Sequence, residues 1–251
     1  METIIYTKKE AIAHIKLNRP EVLNAINELM LSEIKTALID AENDPEIKVV
    51  LVSGSGKAFS AGIDLKTTKA DGFKQGGSFM KLGAEVSDLM TKHSKITIAQ
   101  VHGFCFTGAL EFMMFFDMAF CTKETQFGDT HAKWGIIPAW GMSQRLSRRV
   151  GLIKAKELTF RAMRIRGAEA ERLGLVNRAF ENDTLENEVS GIIEEILANS
   201  FEAIAAVKQL YDQGYETTLK EGLEIERRAD FKLEDTDDLI SNYSKKKFKS
   251  K

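Results

Sequence analysis

The sequence predicts a mixed α/β fold, a mainly parallel sheet followed by a helical tail. Three observations carry this. Short apolar, β-branched runs at residues 47–52, 96–101 and 118–121 have the length and composition of buried strands. Helical periodicity lies between them, so successive strands enclose helices, as in βαβ units. From about Gly141 onward strands nearly vanish, with only residues 176–180 extended, and amphipathic helices follow. The β-rich part ends near residue 195. The chain therefore divides into an α/β core, 1–195, and a C-terminal helical region, 196–251.

The elements follow in order. Residues 3–7 and 11–17 flank Lys8-Lys9-Glu10 and predict a hairpin. Asn18-Arg19-Pro20 breaks its second strand. Residues 27–43 place Leu29, Met30, Ile34, Ala37, Leu38 and Ala41 on one helical face. Residues 66–77 are polar and carry Gly72, Gly76 and Gly77, which predicts a mobile loop and a candidate lid. Leu82, Val86, Leu89 and Met90 repeat at helical spacing, and a further helix is expected over 109–116. Asp183 and Glu186 have the spacing of a capping box for a helix over 184–198. Helices are expected over 200–214, 216–232 and 235–247.

Composition excludes several classes of function. The apolar fraction of 43% and charged fraction of 29% are those of an ordinary globular chain. A formal charge of −2 gives no electrostatic reason to expect nucleic acid or a membrane surface as partner. The exception is the cluster Lys245, Lys246, Lys247, Lys249 and Lys251, read as a solvated tail or as a contact with an anionic ligand or neighbouring subunit. Cys105 and Cys121 lack a CxxC partner and a histidine cluster, so no metal site is expected. Buried reduced thiols and a cytoplasmic location are the simpler reading. The N-terminus METIIYTKKE lacks the apolar core of a signal peptide. No run reaches bilayer-spanning length; the apolar stretch 112–116 stops at Asp117.

Two strand–loop units carry the chemistry. The strand over 47–52 leads into SGSGKAFSAGIDL, a glycine- and serine-rich loop. About forty residues on, the strand over 96–101 turns through Gly103 and Gly108 into an apolar run with one acid, Glu111. Free N–H groups at such a strand–helix turn can hold an oxyanion. A carboxylate three residues into the helix would lie close to whatever they hold.

These stretches resemble the crotonase (enoyl-CoA hydratase/isomerase) superfamily. The resemblance rests on AFSAGIDL, VHGFCFTGALE, QFGD and GIIPAWGMSQRLSRRVG, in that order. LNRPEVLNAI at residues 17–26 and RGAEAERLGLV at 166–176 add to it. It covers roughly residues 4–250. It implies a crotonase-like ββα spiral core with a C-terminal helical trimerisation region, an acyl-CoA substrate, and assembly as a homotrimer or a hexamer of paired trimers. It implies no cofactor other than the coenzyme A of the substrate thioester.

The resemblance also assigns site residues. The oxyanion donors are the N–H groups of Ile63 and Gly108, each such donor being worth roughly 3–4 kcal/mol in a transition state. Glu111 falls on the hydratase acid/base position. Coenzyme A contacts fall on Glu21, Val22 and Leu23 and on Ala61, Asp64 and Leu65. Glu21 stands where a lysine is common, so phosphate contacts are expected elsewhere, the lysine tail included. Trp134 and Trp140 are candidates to line an acyl pocket for a bulky or cyclic group, against ordinary aromatic packing.

The chain departs from the family at the second acid. Two-glutamate hydratases carry it shortly after QFG, where this sequence places His131 in Asp129-Thr130-His131. His131 is open as a second acid/base, given its ordinary pKa of about 6.5. Asp129 is open as its orienting partner or as the replacement acid. A structural turn capped by Asp129 is the bland alternative. The reaction expected is enoyl-CoA hydration. Isomerisation, carbon–carbon hydrolysis of a cyclic acyl-CoA, and idle acyl-CoA binding are the alternatives.

Overall fold

The computed structural model describes residues 1–66, 68, 77–236 and 239–241. Most of the candidate lid, the lysine cluster and most of the helix expected over 235–247 lie outside these residues. The chain divides into two compact units, Met1–Ser190 and Gly191–Lys251.

Among the described residues the first unit holds nine strands: β1 (Ile4–Lys9), β2 (Ile12–Leu17), β3 (Val49–Gly54), β4 (Ile96–Val101), β5 (Phe104–Phe106), β6 (Met118–Thr122), β7 (Gln126–Gly128), β8 (Arg164–Arg166) and β9 (Arg178–Phe180). The large sheet has the order β1-β2-β3-β4-β6-β9. Its β1–β2 pair is the expected antiparallel hairpin; every later pair is parallel. The sequences explain the positions. In β2, Ala13, Ile15 and Leu17 are buried and alternate with half-buried residues, the signature of one covered face. VVLVSG and ITIAQV are buried almost throughout, as interior parallel strands require.

A small second sheet, β5-β7-β8, was not expected. Its strands are three residues each, too short for a period to register. β8 also corrects the expectation that only residues 176–180 are extended beyond Gly141.

The helices of this unit begin with α1 (Glu28–Asn43), capped by Asn27, whose side chain accepts from Met30 N at 2.9 Å. Leu31 takes the core position expected of Leu29, which is 43% exposed near the start of the helix. α2 (Ser78–Thr91) buries Phe79, Met80, Val86 and Met90. α3 (Gly108–Met113) is shorter than expected and is buried along its whole length. α4 (His131–Trp134), α5 (Met142–Val150), α6 (Leu152–Phe160) and α7 (Gly167–Arg172) follow. α8 (Leu185–Leu197), which spans the division at Ser190, starts after Thr184, so Asp183 and Glu186 do not stand at capping-box positions.

The second unit contains α9 (Phe201–Tyr215), capped by Ser200, and α10 (Leu219–Arg228), which opens on a capping box between Thr218 and Glu221. Among the described residues no helix is long and apolar enough to cross a membrane. Cys105 and Cys121 are free and buried; burial raises both thiol pKa values, that of Cys121 to about 12.

Candidate active site

The segment after β3 is stitched to β5 and to the chain ahead of α1. Ser60 N donates to Phe104 O at 3.0 Å, and Ile26 N donates to Gly62 O at 2.8 Å. Gly62 has φ +105°, and a Cβ there would lie 2.7 Å from Phe106 O, so only glycine fits the approach. This brings Ile63 against the start of α3: a Cβ on Gly108 would lie 2.6 Å from Ile63 Cγ1. Among the described residues neither the Ile63 nor the Gly108 N–H has an acceptor. Gly108 is the first residue of α3, where helical N–H groups lack partners by geometry.

Thr107, just ahead of Gly108, has φ 53° and ψ −113°, a strained conformation for a residue with a Cβ. Two contacts hold it there. Its N–H donates to Gly128 O at 2.9 Å, and its hydroxyl bonds that of Thr130.

Glu111 is 1% exposed in the middle of α3. Its Oε1 accepts from the backbone N–H of Trp140 at 2.9 Å and of Met142 at 3.2 Å. Its Oε2 lies 3.3 Å from His131 Nε2. A buried carboxylate without such partners would be costly; here the turn between α4 and α5 supplies them.

His131 is likewise buried, and its Nδ1 lies 2.6 Å from Asp129 Oδ1. The same oxygen accepts from His131 N at 3.2 Å, while Asp129 Oδ2 accepts from Thr159 Oγ1 at 2.7 Å. Burial opposes the imidazolium charge, but the bonds to Asp129 and Glu111 outweigh it and raise the His131 pKa to about 9. Burial also opposes charge on Asp129, yet the His131 and Thr159 bonds hold its pKa below the usual value. The ordinary histidine value near 6.5 therefore does not apply, because the ring sits between two carboxylates. The Asp129-Thr130-His131 segment is both a turn and a side-chain chain: the same carboxylate oxygen that closes the turn grips the imidazole.

The two tryptophans separate. Trp140 is buried against Phe79, with ring centroids 5.4 Å apart, and its ring abuts Gly83 and Gly108. Trp134 is 60% exposed and lies outside the buried core. The single turn of α4 turns only His131 inward, and residues 132–135 are exposed.

The coenzyme A candidates are brought together. Ala61 N donates to Leu23 O at 2.9 Å, and Asp64 pairs with Arg19 at 2.9 Å. Val22 and Leu23 lie on the turn formed by a 3₁₀ segment, Pro20–Val22, with Leu23 in the left-handed region. Leu65 is 42% exposed. Sequence reasoning passed over three residues. Arg19 and the fully buried Asn24, whose Nδ2 donates to Ser55 O and Ala58 O, hold this corner together. Both lie inside LNRPEVLNAI, so the motif was the available signal. Thr159 carries no local signal. His102, by contrast, does what a strand-end histidine commonly does, bonding Gly56 O at 3.0 Å.

Residues 7–250 match the enoyl-CoA hydratase/isomerase family. A short-chain-enoyl-CoA hydratase of Clostridium acetobutylicum is 34% identical, covering 98% of this chain and 96% of its own. A probable enoyl-CoA hydratase of Mycobacterium bovis is 35% identical over 90% of this chain and 88% of its own. The crystal structure of an enoyl-CoA hydratase from Bacillus anthracis superposes with a TM-score of 0.86 at 27% identity, over 90% of this chain and 89% of that one. With the match spanning nearly its whole length, the chain belongs to the enoyl-CoA hydratase/isomerase family of the crotonase superfamily.

Proposed function

We propose that this chain hydrates the double bond of a 2-enoyl-CoA thioester. The observation that carries the reading is Glu111: a buried carboxylate, fixed by two backbone N–H groups, on the helix whose first N–H belongs to Gly108. In this reading the N–H groups of Ile63 and Gly108 bind the thioester oxygen. Glu111 takes a proton from a water as its oxygen adds at C3. The electron pair moves onto the thioester oxygen as an enolate, which the two donors stabilise. The enolate collapses and takes a proton at C2 from Glu111, leaving a 3-hydroxyacyl-CoA. His131 stands where a second carboxylate is common and keeps Glu111 Oε2 engaged.

Coenzyme A is assigned to Val22, Leu23, Ala61, Asp64 and Leu65, with no cofactor beyond the substrate thioester, and Trp140 to the acyl pocket. Assembly as a homotrimer or hexamer belongs to the same proposal. Tyr211, Tyr215 and Leu219 on α9 and α10 are exposed apolar surface that assembly would cover. Light scattering at micromolar concentration is expected to give three or six times 28.1 kDa; the mass of one chain overturns this part.

One observation favours a second reading. His131 is engaged on both ring nitrogens, leaving Glu111 to work as a single base. Enoyl-CoA isomerisation needs only such a base, to carry a proton from one carbon to another. Incubation with a panel of enoyl- and cyclic acyl-CoAs, read by mass and by proton NMR of the products, separates the outcomes. A gain of one water as a 3-hydroxyl supports hydration. A shifted double bond at constant mass supports isomerisation, and a cleaved ring supports carbon–carbon hydrolysis. Micromolar binding by calorimetry without turnover supports an idle binder. No binding of any acyl-CoA overturns all four.

A further inference from the structure

We propose that Thr159 is a positioning residue of this site: through Asp129 it fixes the orientation of His131, and so the contact that His131 makes with Glu111. Asp129 has two oxygens and uses them differently. Oδ1 accepts twice from His131, from the backbone N–H at 3.2 Å and from Nδ1 at 2.6 Å. Oδ2 accepts from Thr159 Oγ1 at 2.7 Å. A carboxylate is symmetric and turns about its Cβ–Cγ bond, so the side chain does not itself prefer this arrangement. Asp129 is 1% exposed, so bulk solvent does not reach the second oxygen. Thr159 is what holds it.

The consequence runs along a chain of donors and acceptors. An ionised Asp129 is an acceptor only, so Nδ1 of His131 must be the donor toward it. The other ring nitrogen, Nε2, then faces Glu111 Oε2 at 3.3 Å, again an acceptor. The hydroxyl of Thr159 is one end of this chain and the carboxylate of Glu111 is the other.

Two details argue that the Thr159 bond is more than packing. A threonine in a helix commonly turns its hydroxyl back to the carbonyl four residues earlier. Thr159, near the end of α6, instead reaches across to Asp129, and α6 is anchored for this by the buried Ala155 and Leu158. The hydroxyl of the next residue in the chain, Thr130, is bound to Thr107.

The kinetic part of this inference rests on the hydratase reading; the positioning part does not. The test uses Thr159→Val, which removes the hydroxyl at nearly constant volume, and Thr159→Ser, which keeps it. Imidazole ¹H–¹⁵N spectra of the whole protein, assigned with His131→Gln, read the bond directly. The unaltered protein is expected to show a strongly downfield Nδ1–H resonance for His131. Thr159→Val should lose or broaden it, lower kcat by about tenfold or more through misorientation, and leave KM within about twofold. Thr159→Ser should restore both. A Thr159→Val protein with an unchanged His131 resonance overturns the proposal, and so does one that raises KM without lowering kcat. If Thr159→Val does not fold, Thr159→Ala takes its place; loss of the fold in both makes Thr159 structural and overturns the proposal too. If the unaltered protein turns over no acyl-CoA, the reaction reading fails, and the spectra still decide the positioning.

Discussion

His131 Nε2 stands 3.3 Å from Glu111 Oε2, while the opposite ring nitrogen stands 2.6 Å from Asp129 Oδ1. An imidazole between two buried carboxylates is held as the cation, because each neighbour accepts a proton-bearing nitrogen and neither donates one. The site therefore differs in charge from a pair of carboxylates. Three groups form one unit, and replacing any of them changes the other two.

Glu111→Gln keeps the volume and an oxygen to accept from Trp140 N and Met142 N, but cannot move a proton. Positioned proton transfer contributes about 10²–10⁴-fold. The variant is expected to lose that much in kcat while its acyl-CoA affinity by calorimetry stays nearly constant. Full activity in Glu111→Gln refutes the proposed chemistry.

His131 gives a pH signature of definite sign. Its pKa rises on folding from the ordinary 6.5 to about 9. The stability it contributes is therefore complete below about pH 6.5 and is lost as pH climbs through 9. Asp129 is shifted the other way, so its contribution holds above the ordinary carboxylate range and fades on acidification. Urea unfolding of the unaltered protein and His131→Gln should show a stability difference that is flat from about pH 5 to 6.5 and shrinks toward pH 9. kcat should show no step near pH 6.5. His131→Ala should lose at least about tenfold in kcat if the imidazolium takes part; an unchanged rate per folded molecule would leave it a turn residue.

Trp140 presses directly on Gly83 of α2. A Cβ there would lie 2.1 Å from Trp140 Cε2, too close without displacement of the indole. Gly83→Ala should therefore shift Trp140, destabilise by about 1–3 kcal/mol as overpacking does, and loosen the Trp140 N–H bond to Glu111. In a Trp134→Phe background the remaining fluorescence reports Trp140 alone. A red-shifted spectrum with reduced kcat is expected; an unchanged spectrum would show that the ring had not moved.

Arg19 and Asp64 join the two segments assigned to coenzyme A, with both side chains largely buried. Removing one partner leaves a buried charge without its counterpart, which typically costs about 3 kcal/mol or more. Asp64→Asn or Arg19→Met should lower Tm by on the order of 10 °C and weaken acyl-CoA binding. The double replacement Arg19→Met with Asp64→Asn should be milder than the sum of the two single losses. Additive losses would mean that the pair is not coupled.

The sequence by itself determined the α/β order, the buried strands over 47–52 and 96–101, the family, and the place of Gly108 at a strand–helix turn three residues ahead of Glu111. These features are local: periodicity, apolar runs and glycine turns act within a few residues. Tertiary structure decided the rest. The β5-β7-β8 sheet exists because three-residue segments distant in sequence pair, and no period marks such segments. Trp134 and Trp140 look alike in a sequence, and only the single inward position of α4 and the Gly83 surface of α2 separate them. The protonation of His131 was not legible either. Its ordinary pKa belongs to the residue, whereas the shifted one belongs to Asp129, Glu111 and their burial. The hydroxyl of Thr159, thirty residues from Asp129, reaches that carboxylate only because packing of α6 brings it there.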